Sequence, residues 1–91
     1  MLFAWMGFLK PDADSVPQEV QQQTSDFLAQ PFIGIQYVGP LRDAGGRRAG
    51  MLMIFEIEDR AKAEAFVADS PYLKSGLYED HRLYEYQDEV G

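Results

Sequence analysis

Residues able to do acid–base or ligand-binding chemistry crowd into one stretch, DSPYLKSGLYEDHRLYEY, from Asp69 to Tyr86. Asp69, Ser70 and Tyr72 flank an X-Pro bond at Pro71, and the chain's one histidine, His81, follows. Asp69 offers an acceptor or base and Tyr72 a hydroxyl donor. A carboxylate at a helix C-terminus opposes the helix dipole, which argues mildly against a purely structural Asp69. The plainer reading is a helix end closed by local side-chain bonds and an aromatic plug, since Asp and Ser also satisfy turn backbones. His81 is the one side chain of the type suited to acid–base work near neutral pH. Asp80 points to the opposite strand face and cannot orient it, while Glu79 and Leu83 share its side. A surface or dimer-seam histidine therefore stands beside the ligand-contacting alternative.

A second group surrounds YVGPLRDAGGRR. Gly39 and Pro40 interrupt an apolar run, and Arg42, Asp43, Arg47 and Arg48 could frame an anionic ligand at the mouth of a hairpin. Against that stands an ordinary solvated loop, where lone arginines are common. Gly45-Gly46 lacks the spacing of a phosphate-binding loop. With no cysteine and one histidine, no metal site and no cofactor motif can be assembled. Tyr78, Tyr84 and Tyr86 fall at even spacing on one strand face and read as sheet packing.

The elements that must hold these residues follow from periodicity. Residues 2–9 are apolar on both faces, Leu2, Ala4, Met6 and Phe8 against Phe3, Trp5 and Leu9, and predict a strand buried on both sides. KPDADS (10–15) is a polar loop, and Ser15 with Gln18 reads as a capping box with Pro17 in the first turn. A helix is expected from about Val16 to Gln30, with Val20, Thr24, Phe27 and Leu28 buried, ended by Pro31. Residues 32–41 predict a second strand, Ile33, Ile35 and Tyr37 on one face and Gln36 and Val38 on the other, with Gly39-Pro40 breaking its pairing. The third strand puts Met51, Met53, Phe55 and Ile57 opposite Leu52, Ile54, Glu56 and Glu58, in a long hairpin with the second. Asp59 caps a second helix, about Arg60 to Asp69, with Ala63, Phe66 and Val67 inward. Ser70–Pro71 stops it. Gly76 opens a last strand, about Leu77 to Gln87.

The order is βαββαβ, which predicts one α+β domain over residues 1–91: a ferredoxin-like sandwich, a four-stranded antiparallel sheet with two helices on one face. Helices cover only one sheet face, yet the first and third strands are apolar on both. A lone chain would expose Trp5, Leu9, Leu52 and Ile54, or the opposite set, so two copies are expected to pack sheet to sheet as a homodimer. Fifteen acidic against eight basic residues give a net charge of −7. Such a surface repels nucleic-acid phosphates and anionic membranes, so neither is an expected partner. MLFAWMGFL is too short for a membrane span and lacks a basic lead-in, so it reads as a strand rather than a signal, and the cytoplasm is the expected location.

In this order the motifs resemble the YCII-related (YciI-like) family of small dimeric α+β barrel proteins. The resemblance is carried by YVGPLRD (37–43), MLMIFEIED (51–59), AKAEAFVADS (61–70) and DSPYLKSGLYE (69–79), and it covers nearly the whole chain. It implies a ferredoxin-like fold, dimerisation through the sheets and a pocket between helices and sheet. It further implies a small organic ligand, aromatic or anionic, and a cofactor-free step such as proton transfer or elimination, with Asp69, Tyr72 and Asp43 as the polar groups. Gly39, Pro40, Arg42, Ser70, Pro71 and His81 are the expected ligand contacts. The family's proposed chemistry pairs a histidine on the first helix with an aspartate. Asp43 stands at the aspartate position, but the helix PQEVQQQTSDFLAQ has no histidine, and Ser70 separates Asp69 from Pro71 in the usual Asp-Pro-aromatic motif. A non-enzymatic interaction or structural dimer is the alternative.

Overall fold

A computed structural model describes residues 1–11, 17–29, 33–87 and 89. Its elements run β1 (Leu2–Leu9), α1 (Gln18–Leu28), β2 (Gly34–Arg42), β3 (Arg48–Glu56), α2 (Arg60–Ala68), α3 (Pro71–Lys74) and β4 (Tyr78–Glu85). The four strands pair antiparallel in the order β2-β3-β1-β4. The two most apolar strands thus occupy the centre and the two more polar ones the edges. This is the expected ferredoxin-like α+β arrangement, with a single-turn helix, α3, added between α2 and β4. Among the described residues, no helix is long and apolar enough to cross a membrane.

The helices cover one sheet face. Phe3, Trp5, Met53 and Phe55 from the central strands are buried against Ala63, Phe66 and Val67 of α2. Phe66 stacks on Phe27 of α1 with centroids 4.8 Å apart and tilts onto Phe55 at 5.1 Å, so one ring joins both helices to the sheet. Asp59 caps α2 as expected, its carboxylate accepting from Lys62 N at 2.8 Å. Pro17 occupies the N-cap of α1 without a side-chain bond. Ser15 of the expected capping box, and Pro31 at the expected helix stop, lie outside the described residues.

Three β-bulges overturn the strict alternation read from the sequence. Between Ile35 and Tyr37 the register slips past Gln36, so Ile35 lies opposite Phe55 but Tyr37 opposite Ile54. Tyr37 is thereby turned to the open face, 71% exposed, away from Ile35. At Glu79 a second slip sets Tyr78 opposite Leu9 on the helix side, whereas Tyr84 pairs with Ala4 on the open side. The tyrosines of the last strand therefore do not share a face. The third slip passes Ala49 and sets Arg48 opposite Arg42. A bulge inserts one unpaired residue and so re-aims every side chain beyond it.

Two further expectations are corrected. Gly39-Pro40 does not end the pairing, because β2 is an edge strand and tolerates a residue without an N–H; the ladder continues to Arg42. Trp5 and Leu9 do not share a face with Leu52 and Ile54: Trp5 pairs with Met53 and faces the helices. The uncovered face carries Met6, Phe8, Leu52, Ile54, Tyr37 and Tyr84, with Phe8 37% and Tyr84 49% exposed.

Candidate functional site

The site is built outward from Gly7. A Cβ there would come within 2.5 Å of Trp5 Cη2 and 2.9 Å of Tyr78 Cδ1, so only glycine lets the indole lie across the strand. The indole stacks on Tyr72 at 5.5 Å and 16°, and Tyr78 closes edge-on against both rings, 5.7 Å from Trp5 and 5.9 Å from Tyr72. Ser70, 2% exposed, fixes Tyr72 from the backbone side, its Oγ accepting from Tyr72 N at 3.1 Å. Ser75 completes the turn, donating to Tyr72 O at 2.7 Å and accepting from Leu77 N. Gly76 follows at φ 72°, a left-handed geometry that glycine adopts without strain.

Tyr72 then forms one wall of a cleft of about 280 Å³ between α1 and the β2–β3 hairpin. Gln21, Thr24, Ser25 and Leu28 line it from α1, Val38, Gly39 and Pro40 from β2, and Met51 from β3. Arg48 lines it as well, directed there by the Ala49 bulge. Among the described residues, its Nε and the Thr24 Oγ1 are buried with no hydrogen-bond partner. Buried polar atoms are rarely left unpaired, and at a cleft such atoms mark where a ligand can bind. Burial pushes the Tyr72 phenol up to about 12, with Tyr78 adding to the rise and Arg48 opposing it. Burial also raises Tyr78, and Arg48 again holds the rise in check. At neutral pH both phenols are protonated donors beside a guanidinium.

The sequence-derived candidates divide into three sets. Tyr72, Gly39 and Pro40 line the cleft, and Ser70 and Pro71 position Tyr72 as the cap and first residue of α3. Asp43 and Arg42 belong to the hairpin turn: Asp43 Oδ1 accepts from Gly45 N at 2.9 Å and Arg47 N at 3.0 Å, while Arg42 donates to Gly46 O at 3.1 Å. Asp69 and His81 stand apart. Asp69 is exposed as the C-cap of α2, and His81 is exposed opposite Gly7, 6.3 Å from the Trp5 ring. Thr24 belongs to the buried stripe of α1, and a hydroxyl within that stripe is the sequence signal of a polar site. Arg48 was legible only as a loop arginine, because its aim depends on the bulge.

Against known proteins, the family model for the YCII-related domain matches residues 1–87. No curated protein matches the chain. Among solved structures, it is similar to the dehydrochlorinase TftG from Burkholderia phenoliruptrix AC1100, which acts on 5-chloro-2-hydroxyhydroquinone and was determined in complex with 2,5-dihydroxybenzoquinone. The identity is 24%, the TM-score 0.80, and the match covers 96% of this chain and 94% of that one. It is also similar to a mutant form of SnoaB, a cofactor-independent oxygenase from Streptomyces nogalater, at 15% identity and TM-score 0.53, over 98% of this chain and 94% of the other. These likenesses establish a common fold.

Proposed function

We propose that this chain, which belongs to the YCII-related domain family, binds a small hydroxylated or quinone-like aromatic molecule in the cleft between α1 and the β2–β3 hairpin. The observation that carries this reading is the meeting of unpartnered buried Arg48 Nε and Thr24 Oγ1 with the wall formed by Tyr72. Apolar walls from Leu28, Val38 and Met51 suit a flat ring, and the polar atoms suit its oxygens. The ligand in the TftG complex, a dihydroxybenzoquinone, is of this chemical kind.

Arg48 favours the ionised form of a bound phenol, and Tyr72, kept protonated by burial, can donate to the same oxygen. Stabilising such an oxyanion is what a cofactor-free proton transfer or an elimination through a phenolate requires. Among the described residues lining the cleft there is no carboxylate or imidazole. The ligand's proton therefore passes to water, and the protein's part is to hold the anion. Asp69 and Asp43, the carboxylates expected as polar groups of the site, would act on this ligand only from outside the cleft. A second copy of the chain covers the open sheet face in this reading, since Met6, Phe8, Leu52 and Ile54 form an apolar surface there.

Nitrocatechol reports both points, because its phenolate absorbs in the visible. Saturable binding with a lowered phenol pKa, reversed in Arg48→Gln and weakened in Thr24→Val and Tyr72→Phe, is the expected result. Absence of saturable binding by nitrocatechol and dihydroxybenzoquinone, in folded protein, overturns it.

A further inference from the structure

Arg48 is the one cation among the described residues that line the cleft. A guanidinium on a rotamer-rich side chain fixes a ligand oxygen only if something holds it. Tyr78, which is not among those lining residues, is placed to do so. The Glu79 bulge sets it opposite Leu9 on the helix side of β4, and the Ala49 bulge turns Arg48 inward from β3. β1 lies between these two strands. The Tyr78 ring crosses it where Gly7 carries no side chain, its Cδ1 2.9 Å from the place a Cβ would occupy there. It is packed on the way, edge-on to Trp5 at 5.7 Å and to Tyr72 at 5.9 Å. Its hydroxyl oxygen is buried. Burial pushes that phenol up, and the Arg48 guanidinium opposes the rise, through its charge and then as a hydrogen-bond donor. The same charge acts on Tyr72. The guanidinium therefore sits within reach of both phenols, one in the cleft wall and one behind it.

We propose that Tyr78 is a positioning residue of the ligand site: its phenol holds the Arg48 guanidinium beside Tyr72, so that the charge is already in place when a ligand oxygen arrives. The inference rests on the ring-binding reading of the cleft. An arginine left to itself gives up rotamer freedom when a ligand fixes it, and a guanidinium already held gives up less. The guanidinium presents its N–H donors in a rigid fork. In this arrangement Tyr78 accepts from a terminal nitrogen, and Nε, without a partner among the described residues, is left for the ligand. Tyr78 stays protonated at neutral pH, so it holds the cation without neutralising it.

Tyr78→Phe keeps the ring against Trp5 and Tyr72 and removes the hydroxyl alone, and two measurements read its effect. In ligand-free protein, the Arg48 Nε–H resonance, identified by its absence in Arg48→Gln, is expected to exchange with water about tenfold faster in Tyr78→Phe. In the complex, the preference of bound nitrocatechol for its anion is expected to fall by about threefold to tenfold, seen as a phenol pKa raised toward that of the free compound. Adding Tyr78→Phe to Arg48→Gln is expected to change that pKa no further, because the hydroxyl acts through the guanidinium. A merely structural tyrosine would weaken binding of anion and neutral ring alike and leave the pKa where it was. Unchanged Nε–H exchange in Tyr78→Phe, or additive effects in the double variant, overturns the positioning role while the ring site stands. Absence of nitrocatechol binding by the folded wild-type protein overturns the ring site, and with it the role of Tyr78 there.

Discussion

Gly7→Ala tests the packing on which the cleft depends. The added methyl would meet Trp5 Cη2 at 2.5 Å, Trp5 Cζ2 at 2.9 Å and Tyr78 Cδ1 at 2.9 Å. Ordinary carbon contacts lie near 3.5–4.0 Å, so the indole must retreat by about an ångström. It has little room to do so: Trp5 is 1% exposed and clamped between Tyr72 and Tyr78. Overpacking of this kind costs about 1–3 kcal/mol. For a domain of this size each kcal/mol lowers Tm by about 4–8 °C, so a fall of about 10 °C is expected by circular dichroism. Because the displaced ring pushes on Tyr72, nitrocatechol affinity should fall too, measured well below the lowered Tm. Gly39→Ala is the matched control, since its Cβ would meet nothing within 4 Å and its Tm should hold or rise slightly. A Gly7→Ala protein with unchanged Tm would refute the claim that glycine is required to seat the indole.

Ser70→Ala removes the acceptor for a buried N–H of Tyr72 and should cost about 1 kcal/mol, read as a Tm lower by about 4–8 °C. The raised Tyr72 phenol should make the fold sensitive to alkali. The folded group keeps its proton up to about 12 while the unfolded one loses it at 10.0. Stability is then untouched below pH 10 and falls by about 2–3 kcal/mol as the pH climbs from 10 through 12, followed by urea unfolding. Phe8→Asp or Ile54→Lys should convert a sedimenting dimer into a folded monomer; an unchanged mass would remove the open sheet face from the interface. Asp43→Ala should loosen the hairpin turn, lowering Tm by a few degrees while leaving nitrocatechol binding in the cleft intact.

The sequence made the framework legible where local chemistry and burial agree. Asp59 before an apolar stripe is a helix start whatever surrounds it, and the capping bond to Lys62 is local. The doubly apolar runs of β1 and β3 read as strands, and these two hold the centre of the sheet, with one face covered by the helices and the other open in the single chain. The site was legible in part, for a different reason. Tyr72 and Ser70 stood out beside Pro71, and Gly39-Pro40 beside the hairpin, so the walls of the cleft could be named. Asp69 drew attention by the same proximity, yet it is an exposed C-cap, since the helix turn that buries Ser70 and Tyr72 carries the preceding carboxylate outward. Thr24 needed the third dimension: a hydroxyl in a buried stripe has meaning only once it is known to be unpartnered.

What alternation could not provide was the direction of a side chain beyond a bulge. Each of the three slips moves a side chain to the other side of the sheet. Past Gln36, Tyr37 leaves the helix side and joins the open face, while Val38 and Pro40 turn toward α1 and become cleft wall. Past Glu79, Tyr78 comes in under Trp5 and Tyr72 while Tyr84 stays outside. Past Ala49, Arg48 reaches the buried side, beside two phenols whose pKa it lowers against the pull of burial. A regular ladder would put Tyr37 where Val38 now stands and would carry Arg48 toward the solvent face. The sheet would lose little pairing, but the cleft would lose its cation and one of its walls. The irregularities therefore make the cleft, and the regular strands between them hold it still.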